Sequence, residues 1–130
     1  MKKLTLLFLL IVSTNVLAEW TSVGSNDNGN NTFYIDYGTL KKKGNKMKIW
    51  TLINYKIVQK LESYSYLSSL SHEEYDCEEE TVRTLDSYRY SEEMKQGDIV
   101  LSSTNIKEEP FSIIPESVYD FKLKIVCRKK

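Results

Sequence analysis

Two clusters in this sequence have the composition of ligand-holding or reactive sites. The first is Asn26-Asp27-Asn28-Gly29-Asn30-Asn31, whose side-chain oxygens could surround a hard cation such as calcium. Its spacing does not suit that task, because alternate ligands, a glycine in the sixth place and a distal glutamate are missing. The cluster therefore reads as a solvated turn. The second is the acidic run Glu73, Glu74, Asp76, Glu78, Glu79 and Glu80 around Cys77. Neighbouring carboxylates can move protons or hold a metal. Here no second ligand type accompanies them, so they read as a solvated rim. His72, the single histidine, has no nucleophile or ligand set that its sequence context assigns to it, and it is expected at the surface. No glycine-rich phosphate loop is present. These exclusions leave no catalytic residue, no metal site and no cofactor, and the chain reads as a protein that is not an enzyme.

What remains concerns compartment and architecture. Residues 1–18 have the layout of a secretory signal peptide: Lys2 and Lys3, an apolar run from Leu4 to Val12, polar Ser13 to Asn15, then Val16-Leu17-Ala18 before a cleavage expected ahead of Glu19. The apolar run falls short of the ~20 residues that span a bilayer. No cysteine stands at the cleavage site, so the expected product, residues 19–130, is not a lipoprotein and not membrane-spanning. It is a periplasmic, secreted or cell-surface domain. The full chain of 130 residues carries 18 basic and 18 acidic residues, and loss of Lys2 and Lys3 tips it slightly acidic. That balance argues against nucleic acid, which demands a strongly basic face. In an oxidising compartment the only two cysteines, Cys77 and Cys127, read as one disulfide. A bond closing a loop of about 50 residues constrains the unfolded chain by roughly 4 kcal/mol.

The elements that position these residues read mostly as strands. Trp20 to Ser25, Thr32 to Asp36, Met47 to Lys56, Gln59 to Ser71, Thr81 to Ser91 and Ile99 to Leu101 carry β-branched and aromatic residues or alternate at period two. Asp36 to Lys43 is expected as a turn or a single helical turn, and Gly44-Asn45 as a tight turn. Lys41, Lys42, Lys43, Lys46 and Lys48 form the one dense basic cluster, read as a solvated turn before a functional patch for an anionic glycan or acidic protein. The tail alternates as a strand would through Phe121, Leu123, Ile125 and Cys127, yet Pro115-Glu116-Ser117 suits a helix start and Val118, Phe121 and Ile125 keep helical spacing. Pattern alone tilts it towards a strand.

Taken in order, Thr32-Phe33-Tyr34-Ile35-Asp36, Trp50-Thr51-Leu52, Asn54-Tyr55-Lys56, Ser65-Tyr66-Leu67-Ser68-Ser69, Tyr75-Asp76-Cys77, Arg83-Thr84-Leu85, Tyr90, Pro115-Glu116-Ser117-Val118 and Cys127 resemble the bacterial surface-adhesin protein E family. The resemblance spans Trp20 to Cys127. It implies an α+β fold, a meander of about six antiparallel strands with a C-terminal helix on one face, and the pairing of Cys77 with Cys127. It turns the tail from strand to helix, with Val118, Phe121 and Ile125 towards the sheet. It also implies an adhesin-like function, the capture of host matrix or serum proteins such as laminin and vitronectin, and a homodimer as an assembly seen in the family. The alternative is a periplasmic inhibitor or partner of an envelope enzyme. The binding surface is expected on the sheet face opposite the helix, supplied by Tyr64, Tyr66, Tyr88 and Tyr90.

Overall fold

A computed structural model describes residues 19–128; the signal peptide expected over residues 1–18 lies outside the described residues. Strands β1 (Thr21–Asn26), β2 (Asn31–Lys43), β3 (Lys46–Leu61), β4 (Tyr64–Asp76), β5 (Thr81–Tyr90) and β6 (Ile99–Ser103) pair antiparallel in chain order. A short strand, β7 (Phe111–Ser112), joins β5 beside β6, and helix α1 (Val118–Arg128) follows. The expected meander with one helix and one disulfide is the observed architecture.

Turn chemistry accounts for the connections. Asp27, Asn28 and Gly29 all have positive φ, at 52°, 55° and 85°. Asp, Asn and Gly tolerate that left-handed backbone best, so the oxygen-rich cluster between β1 and β2 serves a hairpin turn. Gly29 and Asn30 close it by donating to the carbonyls of Asn26 and Asp27 at 3.1 and 3.0 Å.

Residues 36–43 differ from expectation. They form neither a loop nor a helical turn; β2 continues to Lys43, and its register against β3 slips between Asp36 and Lys41. Side chains satisfy the backbone across the slip. The Asp36 carboxylate accepts the Gly38 N–H at 3.0 Å, while the Thr39 hydroxyl donates to the Asp36 carbonyl and accepts the Trp50 N–H. A turn-like sequence is thereby absorbed as an irregularity inside a long strand.

The core lies between one sheet face and α1. Ile35, Met47, Ile49, Tyr75 and Val82 meet Leu123 and Val126, all of them buried. Burying each such side chain contributes ~1.5–3 kcal/mol. The helix stripe is not the one expected. Lys122, Leu123 and Val126 are the buried helix residues, whereas Phe121 is 49% exposed. Phe121 sits one position round the helix and lies against Gly24 of β1, where an added Cβ would meet its ring at 3.4 Å. Val118 and Ile125 are half-buried at the margins of the contact.

Both ends of α1 are fixed. The Ser117 hydroxyl accepts the Asp120 N–H at 3.2 Å, which occupies one of the free donors at the helix start, and the Asp120 carboxylate accepts the N–H of Glu116, just ahead of the helix, at 2.9 Å. At the other end Cys127 is bonded to Cys77, with a Cα–Cα separation of 5.7 Å. Cys77 directly follows β4, so the bond joins the last turn of the helix to the sheet.

Candidate functional site

Because directly opposed residues of antiparallel strands share a face, the register divides the sheet into two surfaces. The face beneath α1 carries Ile35, Thr51 and Ser71 in one row, and Met47, Tyr75 and Val82 in another. The helix-free face carries three adjoining rows. Tyr34, Leu52, Leu70 and Tyr88 form one, Asp36, Trp50, His72 and Asp86 the next, and Lys41, Lys48, Glu74 and Arg83 the third.

Beneath the helix lies a buried ionic group. Lys122 Nζ donates to both oxygens of Glu73, at 2.8 and 3.1 Å. Thr51 and Tyr75 hydroxyls donate to the same carboxylate at 2.9 and 3.0 Å. With its charge matched and its lone pairs occupied, the carboxylate is tolerated away from water. Burial first, and then the Glu73 charge, hold the Tyr75 phenol well above its ordinary value. The Tyr119 phenol is raised for the same two reasons, and the Lys122 ammonium stands 4.9 Å from its ring centre. This arrangement positions a helix. Lys122, Thr51 and Tyr75 all direct their donors at the one Glu73 carboxylate.

The solvated-rim reading of the acidic run is thus corrected at two positions. Glu73 and Glu74 are buried, at 2% and 7% exposure, because both lie in β4 rather than in the turn that follows. Glu74 on the other face accepts from Arg83 Nε at 2.8 Å. Only Glu78, Glu79 and Glu80 form an exposed rim. Among the described residues no group of three or more His, Cys, Asp or Glu side chains is placed to hold a metal ion.

The helix-free face holds an aromatic group that spans three strands. Trp50 of β3 stacks on His72 of β4, with ring centres 4.5 Å apart and planes 5° apart, and Tyr88 of β5 lies 6.3 Å from Trp50. Offset ring pairs of this kind add to cross-strand stability. His72 is half-buried rather than at the surface: Trp50 covers one side of its ring, and Asp86 stands 3.3 Å from Nδ1. Beside the group is a depression of ≈ 320 Å³ lined by Trp20, Asp36, Thr39, Trp50, Leu70 and Lys95. The connection between β5 and β6 forms its rim. There Ser68 Oγ donates to the Glu92 carbonyl at 2.7 Å and accepts the Lys95 N–H at 3.0 Å, and Asn54 Oδ1 accepts the Met94 N–H at 2.8 Å.

The four tyrosines singled out from the sequence fall into different surroundings. Tyr88 belongs to the aromatic group, and Tyr90 follows it on the same face, opposite Ser68. Burial and the neighbouring Tyr88 raise the Tyr90 phenol. Tyr66 packs edge-on against Tyr55 at 5.7 Å, with the Arg89 guanidinium 4.9 Å from its ring centre. Tyr55 lines the groove beside α1 together with Tyr119 and Lys122, so Tyr66 is turned to the helix side. Tyr64 is 43% exposed at the far end of the β3–β4 hairpin, opposite Leu61. Neither Trp50 nor His72 was assigned to a binding surface from the sequence, because only the register of β3 against β4 sets them opposite one another.

No curated protein matches the sequence. The fold is that of crystallised Haemophilus influenzae protein E. One such structure has a TM-score of 0.61 and 16% identity over 89% of this chain and 91% of that one. A second crystal form has a TM-score of 0.60 and 16% identity over 82% and 87%. A third, from a non-typeable strain, has a TM-score of 0.59 and 16% identity over 88% and 79%. The pattern of the surface-adhesin protein E family matches residues 20–128, taking in every strand and the helix, and the chain belongs to that family.

Proposed function

We propose that this chain is exported and acts as a non-enzymatic binding protein, a surface adhesin that captures a host matrix or serum protein through the helix-free face of its sheet. The observation that carries the reading is the half-buried aromatic group Trp50, His72 and Tyr88 beside a shallow depression. Large, rigid side chains of this kind supply contact area at low entropy cost. Family membership supports the adhesin class. Among the described residues no helix is long and apolar enough to cross a membrane, which accords with attachment by some other means or with release.

The test is capture of the purified protein on immobilised laminin and vitronectin, measured for the wild type and for Tyr88→Ala and Tyr64→Ala. We expect Tyr88→Ala to weaken capture about tenfold or more while the melting temperature moves by only a few degrees. Capture unaltered by Tyr88→Ala and by Trp50→Ala would take the function off this face. Failure to capture either protein, together with recovery of the chain from the periplasm, would favour the inhibitor reading.

A further inference from the structure

We propose that the tip of the β2–β3 hairpin is a second binding site, for a linear sulfated polysaccharide. This goes beyond the capture of a protein and does not depend on it. Lys41 faces Lys48 across the hairpin, and Lys43 faces Lys46. Like charges set directly opposite one another destabilise a strand pair. Two such pairs in succession put four ammonium groups on one surface, since residues two apart on a strand share a face and lie ~7 Å apart, with ~5 Å between strands. The intervening Lys42 and Met47 point to the other side.

Cations outnumber carboxylates on this face. Among the described residues Glu74 is the single carboxylate within ion-pair reach of any of the four, at 4.0 Å from Lys48, and it is already held by Arg83 at 2.8 Å. On these rows the five cations Lys41, Lys43, Lys46, Lys48 and Arg83 face two carboxylates, Glu74 and, opposite Lys46, Asp76, so the surface keeps a positive excess in a chain whose overall formal charge is zero. The lysines and Glu74 line a cleft of ≈ 540 Å³, which a chain of sugars could enter.

The backbone beneath them is held in place. The Cys77 N–H donates to the Asn45 carbonyl at 2.9 Å, and the Asn45 side chain is hydrogen-bonded to Glu78. The turn that carries the lysines is thus tied to the segment that holds the disulfide, and the four charges are presented without first ordering a loop.

Lysine alone in a cleft without an aromatic lining selects among polyanions. An acidic protein surface would want apolar anchors at the centre of the contact and arginine forks for its carboxylates. Single-stranded nucleic acid would want ring faces on which bases could stack. Dense sulfate groups need only compact, mobile cations, which is what the hairpin offers.

Calorimetric titration of the purified protein with a heparin-derived oligosaccharide, at low and at near-physiological salt, tests the site. We expect binding that weakens steeply with salt. Replacing all four lysines by glutamine should lower affinity by roughly a hundredfold, with stability unchanged or improved because the opposed charges are gone. Should that variant fail to fold, Lys41→Gln and Lys46→Gln singly should each reduce the salt slope by about one. Tyr88→Ala should leave the titration unchanged, which separates this site from the aromatic group. Absence of binding, or binding that ignores the lysine changes, would overturn the proposal. So would equal affinity for an oligonucleotide or a polyglutamate of matched charge, since the surface would then discriminate nothing.

Discussion

Lys122 of α1 and Glu73 of β4 form an ion pair at 2.8 Å in which each side chain is only 3% exposed. A pair so placed fixes where the helix sits, because neither charge can be left behind in the apolar layer. Lys122→Met should therefore destabilise the domain by about 3–5 kcal/mol in urea unfolding, the penalty of an uncompensated buried carboxylate. The double change Lys122→Met with Glu73→Gln should recover part of that loss. A single variant costing less than ~1 kcal/mol would show the carboxylate to be reached by water.

The disulfide should act on the same element from its other end. Selective reduction is expected to cost about 4 kcal/mol, with amide exchange rising first in α1. Thiol labelling before and after reduction, followed by exchange measurements, checks both halves. Two reactive thiols in the untreated native protein would contradict the bond seen between Cys77 and Cys127.

High pH should unfold the domain through its tyrosines. Burial raises the Tyr75, Tyr119 and Tyr55 phenols above their ordinary value of 10.0. A raised folded value means that the native state holds protons which the unfolded chain gives up. The stability they confer is thus complete below pH 10 and is lost as pH climbs through the raised values. Tyrosinate absorbance should appear together with loss of the sheet signal in circular dichroism. Ionisation of all nine tyrosines near pH 10 with the sheet intact would be the contrary result.

Ser68 offers a smaller test. It is wholly buried, and its hydroxyl serves both Glu92 and Lys95 in a turn where Met94 and Lys95 have φ of 53° and 63°. Ser68→Ala leaves a carbonyl and an N–H without partners and should cost about 1–3 kcal/mol. Equilibrium unfolding of the variant measures it; a change within ~0.5 kcal/mol would mean that water replaces the hydroxyl.

Much of the sheet was legible in the sequence because alternation and turn residues are local signals. The position of the helix stripe was not. Val118, Phe121 and Ile125 look like the apolar side, but the buried line passes through Lys122, whose partner Glu73 lies 49 residues away. No local pattern announces a lysine facing inward. The two-sided facing of β5 was hidden for a related reason. Val82, Thr84, Asp86, Tyr88 and Tyr90 alternate without interruption, yet the register of β5 against β4 slips between His72 and Glu73. Leu85 is the extra residue, so Val82 and Thr84 turn towards the helix while Asp86, Tyr88 and Tyr90 turn away. The resemblance to a family supplied the helix, which pattern alone left open, whereas the pairing of Cys77 with Cys127 already followed from their being the only two cysteines.

Strands β1 to β6 follow one another in space as they do along the chain, and β7 alone returns, to pair with β5. A polypeptide emerging amino end first can therefore complete each of the first five hairpins as its second strand arrives. Closure of the core face is the exception. Ile35, Met47, Ile49, Tyr75 and Val82 stay wet until α1 follows, and Cys77 keeps a free thiol through the same interval, since its partner lies 50 residues on. Exclusion of water and oxidation of the thiols are thus completed by one late event, and the half-finished sheet before it is the species most exposed to mispairing with another molecule.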